Sequence, residues 1–339
     1  MTGRLWRLLA SLLLALEVCC SRGEPIREQA PARSVATRAS GLVSLPSVAG
    51  VAEVGRAAPD PFEFDPLFFR KKGAPEPGEW LAEHHEHGQT FLEFQRASTL
   101  RPTADRRTIV LQPLGEFSVG QRAVLATLQR ATSLYFGLPV EIAETKPLPM
   151  RGRRLRQRDG EPLVQYLTPE ILASLSRTAP EHAIAYLGVT FQDLYPEPSW
   201  NFVFGEAELS ARVGVYSLVR FTPEFNHEAN GEAARQRFVR RAIQLLAHET
   251  GHIFGIKHCT EFECVMNGSN SLSESDRAPL EPCHECLHKL AFALHLQPMS
   301  RYLELARFYE EQGLSDDAHW IGERSASLSP SYPSLRSAK

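Results

Sequence analysis

The hydrophobic pattern separates stretches that can bury surface from stretches that cannot. From Leu8 to Leu16 the residues are apolar or small, with Arg4 and Arg7 before them and Glu17-Val18-Cys19-Cys20-Ser21 after. A bilayer span takes about 20 apolar residues, so this run is too short to cross one. A basic flank, a short apolar run and small residues make an export signal, and residues 1–21 are read as a signal peptide. Lipidation at Cys19 or Cys20 stays open, although Leu16 to Cys19 makes a poor lipoprotein box. Residues 22–60 are mostly Ala, Arg, Pro, Ser and Gly, which bury little surface, and read as a flexible linker or pro-segment. Aromatics return at Phe62, Phe64, Phe68, Phe69, Trp80, Phe91 and Phe94. An N-terminal extension is therefore expected over 61–104, with His84, His85 and His87 as solvated histidines on a polar surface helix.

Beyond residue 105 the periodicity alternates between strand and helix. Thr108–Leu114 reads as a strand, and Ser118 as the N-cap of a helix to Tyr135 with Val124, Leu125, Leu128 and Leu134 along one side. Gly137 ends that helix and Pro139–Ala143 is the next strand. Arg151–Arg156 is a basic stretch, read as a solvated loop in preference to a binding patch. Thr168 and Pro169 fit the start of a short helix, the threonine oxygen accepting free amide hydrogens. Ala183–Val189 reads as a buried strand, with further strands at Trp200–Gly205 and Val213–Val219. A long helix starts near Ala233 and carries Phe238, Ala242, Leu245 and Leu246 forward. After a loop-rich segment, helices resume at Leu287, and Tyr302, Leu305, Phe308 and Tyr309 lie at helical spacing within 300–326. No internal repeat is present.

Composition narrows the classes of function. With 43% hydrophobic and 23% charged residues and a formal charge of -3, the chain is ordinary globular protein. Nothing in that balance calls for nucleic acid or an anionic membrane as partner. Four of the six cysteines crowd between Cys259 and Cys286, whereas a disulfide scaffold spreads them along a short secreted chain.

The chemistry concentrates in His248-Glu249-Thr250-Gly251-His252-Ile253-Phe254-Gly255-Ile256-Lys257-His258. Residues four apart share a helix face, so His248 and His252 can address one ion. Glu249 is offset beside them, out of the metal's immediate ligand set. A straight helix would carry residue 258 away. Gly255 can adopt the left-handed conformation that ends a helix, which lets His258 return as third ligand. Three protein ligands leave a position for water, the arrangement of a catalytic zinc, with Glu249 as general base.

Cys259, Cys264, Cys283 and Cys286 follow at once. Four thiolates in two local pairs suit a tetrahedral structural zinc without a water position. A redox dithiol at Cys283 and Cys286, or two disulfides in an exported protein, are the competing readings. Met266 stands where a methionine-containing turn could pack beneath the catalytic metal.

The HExxHxxGxxH pattern with a later methionine turn is that of metzincins. The cysteine directly after the third histidine, Cys264-x-Met266 and the terminal Cys283-x-x-Cys286 resemble the archaemetzincins in particular. The likeness extends to Asp193-Leu-Tyr-Pro196, Trp200–Gly205 and Cys286–Leu290, covering roughly 105–295. It implies an α/β (α+β) metzincin-type zincin domain: a twisted mixed sheet, a long active-site helix and a loop-rich C-terminal subdomain. A catalytic domain over 105–298 and a C-terminal helical tail over 299–339 are expected on that basis. The resemblance also implies two zinc ions, one catalytic at His248, His252 and His258 and one structural at the four cysteines. It suggests that Phe202, Val203, Phe204 and Gly205 border the cleft as a substrate-binding edge strand. Export, periplasmic or secreted, departs from a family whose members look cytosolic, and without the signal the chain is expected to be cytoplasmic.

Three function classes follow. The leading one is a zinc metallopeptidase acting, as a monomer, on peptides or proteins. The others are a catalytically silent, zinc-stabilised peptide-binding module and a dithiol oxidoreductase. The intact Glu249 favours the first, since a silent module has no use for a general base.

Overall fold

The computed structural model of the chain describes residues 68–97 and 100–325. The expected signal peptide and pro-segment lie outside the described residues. In chain order the first half holds α1 (Trp80–Glu83), α2 (Phe91–Ala97), β1 (Thr108–Leu114), α3 (Val119–Phe136) and β2 (Val140–Ile142). Next come β3 (Arg154–Arg158), β4 (Glu161–Leu167), α4 (Thr168–Thr178), β5 (Ala183–Thr190) and β6 (Asp193–Tyr195). The second half holds β7 (Gly205–Glu208), β8 (Val213–Ser217), α5 (Glu232–Ile253) and α6 (Leu272–Arg277). It closes with α7 (His284–Leu294), α8 (Pro298–Glu311) and α9 (Ser315–Ser325).

The main sheet has the order β2-β1-β5-β8-β7, parallel except for β7, which runs antiparallel at one end. Every residue of β5 is buried, as expected of a central strand covered on both faces. On one face α4 supplies Ile171, Leu172 and Leu175 against Val110, Tyr186 and Val215. On the other, α3, α5, α7 and α8 share one larger core, in which Tyr302, Leu305, Phe308 and Tyr309 are fully buried. Apolar area drives that burial at roughly 25 cal/mol per Å2.

Local chemistry explains several element ends. Ser118 accepts from the Gln121 amide while the Gln121 side chain caps the Ser118 amide, a capping box that starts α3. Gly137, at φ 62°, ends it in the left-handed conformation. Gly313 (φ 73°) breaks the C-terminal helical run into α8 and α9.

Several expectations change. Thr168 does not cap α4; the helix begins at Thr168 itself, whose hydroxyl donates to the Glu206 carboxylate. The basic stretch read as a loop keeps that form at 151–153 but enters strand β3 at Arg154, and β3 is joined to β4 by Asp159 and Gly160, both at positive φ, as a two-residue hairpin turn requires. His84, His85 and His87 follow α1 outside any helix, and His84 stacks on Trp80 at 4.0 Å. The strand expected at Trp200–Gly205 starts only at Gly205, because Phe202 and Phe204 pack on Arg220 and Phe221 in irregular chain. No helix among the described residues is long and apolar enough to cross a membrane.

Candidate metal centre and active site

Helix α5 delivers His248, Glu249 and His252 from a buried stretch that runs from Ala242 to Ile253. Its end is built as the motif requires. Gly255 takes φ 87°, and the Ile256 amide reaches back to the Gly251 carbonyl at 3.1 Å, so the chain reverses toward His258. The rings of His248, His252 and His258 come together with centroids 4.6 to 5.3 Å apart.

Each imidazole has its Nδ1 engaged on the outer side. His248 Nδ1 meets the Val265 carbonyl at 2.8 Å and His252 Nδ1 the Ile256 carbonyl at 2.7 Å. His258 Nδ1 meets the Glu86 carboxylate at 2.9 Å. As donors, these Nδ1–H groups leave each Nε2 with a lone pair directed inward. His248 and His252 bring their Nε2 atoms within 3.0 Å, and His258 Nε2 is buried with no hydrogen-bond partner. Burial and the neighbouring His258 push the His248 pKa down to about 3, and burial with its two neighbours holds His252 well below the ordinary range. Neutral, convergent imidazoles are what a divalent ion binds, so the donor set fits zinc.

Glu249 lies beside this cluster. Its carboxylate is fully buried and neither oxygen has a protein hydrogen-bond partner. Burial, reinforced by Glu206, raises its pKa well above the usual carboxylate value. A dication among the histidines would oppose that shift by favouring the ionised form.

Cys259, Cys264, Cys283 and Cys286 form the second group. All four are buried and free, and their sulfur atoms lie within 4.8 Å of one another. Cys259 and Cys283 are 3.7 Å apart at sulfur, close to the edge of about 3.8 Å expected of a tetrahedron with Zn–S bonds near 2.3 Å. Hydrogen bonds from Cys264, Cys283 and Cys286 hold the Cys259 thiol far below its usual range. A four-thiolate zinc site therefore fits as well.

The two groups are joined by a short turn. The Cys259 amide donates to the Met266 carbonyl at 2.8 Å, and the Cys264 sulfur accepts from the Met266 and Cys283 amides. A Cβ on Gly251 would stand 2.6 Å from the Met266 sulfur, so α5 lies directly on this methionine. Asn267 ties the turn together, accepting from the Cys264 amide at 2.9 Å and donating to the carbonyls of Cys259 and Phe262 at 2.7 and 2.9 Å.

The chain before β1 also reaches the site. Glu274 accepts from the Trp80 amide at 3.0 Å, and the Trp80 ring sits edge-on to His258 at 5.0 Å. The Gln89 side chain donates to the Gly255 carbonyl at 3.1 Å and accepts from the Lys257 amide at 3.2 Å. Burial raises Glu86, but its hydrogen bond to His258 pulls the other way, and it ends below the ordinary range. Sequence reading missed Glu86, Gln89 and Asn267 and took Trp80 only as the start of packed structure; a polar residue after the methionine of the turn is the local signal for Asn267.

A cavity of about 180 Å3 opens beside His248 and Glu249. Phe204, Phe221 and Leu245 give it apolar walls, and Gln244 and Arg241, earlier on α5, line its far end. Of the expected edge residues, Phe204 faces this cavity and Gly205 opens β7; Phe202 packs on Arg220 and Val203 bridges to Leu194.

The sequence profile of peptidase family M54 matches residues 175–291, a range that includes both metal-ligand groups. The chain is 30% identical to human archaemetzincin-2 over 263 residues, 70% of this chain and 73% of that protein. It is 33% identical to the archaemetzincin of Pyrococcus furiosus over 186 residues, 55% of this chain and 93% of that protein. The crystal structure of an archaemetzincin from Methanopyrus kandleri aligns with a TM-score of 0.44 at 28% identity, covering 57% of this chain and 97% of that one. The chain belongs to peptidase family M54, the archaemetzincins.

Proposed function

We propose that this metallopeptidase hydrolyses peptide bonds at a zinc ion held by His248, His252 and His258, with Glu249 as general base. The observation that carries the reading is the placement of the Glu249 carboxylate, buried and without a protein partner, beside three imidazoles whose Nε2 atoms converge. Zinc in such a site supplies Lewis-acid chemistry, acidifying water toward a pKa of about 7 and polarising a carbonyl. A Glu249 oxygen takes the proton of the attacking water and later gives it to the leaving amine. The Val265, Ile256 and Glu86 acceptors keep the three imidazoles in one tautomer. A second zinc held by Cys259, Cys264, Cys283 and Cys286 would fix the loop that presents His258, with Met266 as the floor under α5. The end strand β7 offers an edge along which extended substrate can pair, next to Phe204 and Gly205.

The test combines metal content with hydrolysis of a peptide library, before and after chelation and zinc add-back. Two zinc ions per chain, with cleavage lost on removing the weaker one and restored with it, support the proposal. Two bound ions with no cleavage of any peptide would leave the silent binding module instead.

A further inference from the structure

The three imidazoles are oriented by partners of different kinds. His248 and His252 turn their Nδ1 atoms to backbone carbonyls, one in the turn before Met266 and one just past the helix end. His258 alone uses a carboxylate, that of Glu86, 172 residues earlier in the chain, with both oxygens at 2.9 to 3.0 Å. His258 is also the ligand off the helix, so α5 does not set its ring orientation. Its side chain is 3% exposed and its Nε2 is buried without a partner, so the ring is held from the Nδ1 side.

Glu86 reaches His258 because the segment from Trp80 to Phe94 is docked at several points across the ligand loop. Trp80 is anchored on Glu274, and its ring stacks on His84 and abuts His258. Gln89 holds the loop at Gly255 and Lys257, and the Lys289 ammonium donates to the Gln89 carbonyl. Phe91 stacks on His288 at 3.8 Å, and Phe94 is fully buried. Residues 175–291, matched by the family profile, contain the three histidines but not Glu86.

We propose that Glu86 is a positioning residue for His258: it accepts the Nδ1–H, fixes the tautomer that leaves the lone pair on Nε2, and aims that atom at the metal. The proposal rests on the reading of the histidines as zinc ligands. Outer partners of metal-bound histidines typically change metal affinity by about 10- to 100-fold when removed. Metal affinity at the histidine site is then a property of the docked segment as well as of the motif.

The measurement is the zinc affinity of the histidine site, titrated against a chelator with the full chain, alongside peptidase rate and thermal unfolding. Glu86→Ala should weaken zinc binding about 10- to 100-fold. Glu86→Gln, whose amide oxygen still accepts the Nδ1–H and which preserves volume, should recover most of that loss. Gln89→Ala, which loosens the segment without touching His258, should cost less than Glu86→Ala. In a His258→Ala background, Glu86→Ala should have no further effect on zinc affinity, because its action runs through that ring. Wild-type affinity in Glu86→Ala, or an equal loss in the His258→Ala background, would overturn the proposal while leaving the zinc site intact. If the wild-type histidines take up no zinc, the reading of the site falls first. Should Glu86→Ala fail to fold, Glu86→Gln decides: an affinity no better than His258→Ala overturns the assignment.

Discussion

Replacing Asn267 with alanine removes three hydrogen bonds from the turn that joins the two metal-ligand groups. Asn267 accepts from the Cys264 amide and donates to the carbonyls of Cys259 and Phe262, all in the interior. At about 1 kcal/mol net for each bond, Asn267→Ala should cost about 3 kcal/mol, more if the Cys264 amide is left unpaired. For a domain of this size that corresponds to a fall in Tm of roughly 6–12 °C. Asn267→Asp sharpens the test. Its volume is unchanged and one oxygen still accepts from the Cys264 amide, but the second oxygen now faces two carbonyls. It also buries a negative charge beside four sulfur atoms that carry negative charge when they hold a metal. The conservative substitution should therefore be the worse one, with a lower Tm and faster chelator-driven metal release than Asn267→Ala. Thermal unfolding with a colorimetric metal-release assay reads both. An aspartate variant as stable as the alanine variant would refute this account of the turn.

Three further outcomes follow from the same geometry. Gly268→Ala would place a Cβ 2.5 Å from two atoms of the Trp80 ring, so the ring must move, at about 1–3 kcal/mol; Trp80→Leu in that background should recover part of the lost Tm. Burial raises the Glu206 pKa above its unfolded value, so its ionisation disfavours the folded state as pH rises through the folded value. Glu206→Gln should thus unfold at higher temperature than wild type near pH 7, with the two curves meeting below about pH 4.5. Arg301→Met strands the buried Glu281 carboxylate, which it pairs at 2.5 Å, and should cost about 3–5 kcal/mol in denaturant unfolding, against little effect if the pair is dispensable.

The parts legible in the sequence are those whose cause is local. His248, His252 and His258 announce themselves because helix period and one glycine set their geometry within eleven consecutive residues. β1 and β5 are apolar enough to read as strands, β5 as a buried one, and Ser118 marks the start of α3 as its N-cap. β3 was hidden because Leu155 is the one apolar residue in Arg154–Arg158, too few to set up the alternation that betrays a strand. The aromatics of Phe202–Phe204 suggested strand by propensity, but Arg220 and Phe221 claim those rings and hold the chain irregular. Thr168 looked like a cap until Glu206, from another element, took its hydroxyl. Glu86 left no trace at all: its partner lies 172 residues away, and only the folded chain sets them side by side.

The most direct test of the central claim is the rate of peptide hydrolysis by Glu249→Gln at matched zinc occupancy. The substitution keeps the shape of the side chain and leaves His248, His252, His258 and the four cysteines untouched. Zinc content should be unchanged and turnover should fall by about a hundred- to ten-thousandfold, the range expected when a general base is lost. Hydrolysis at the wild-type rate with both sites loaded would contradict the claim.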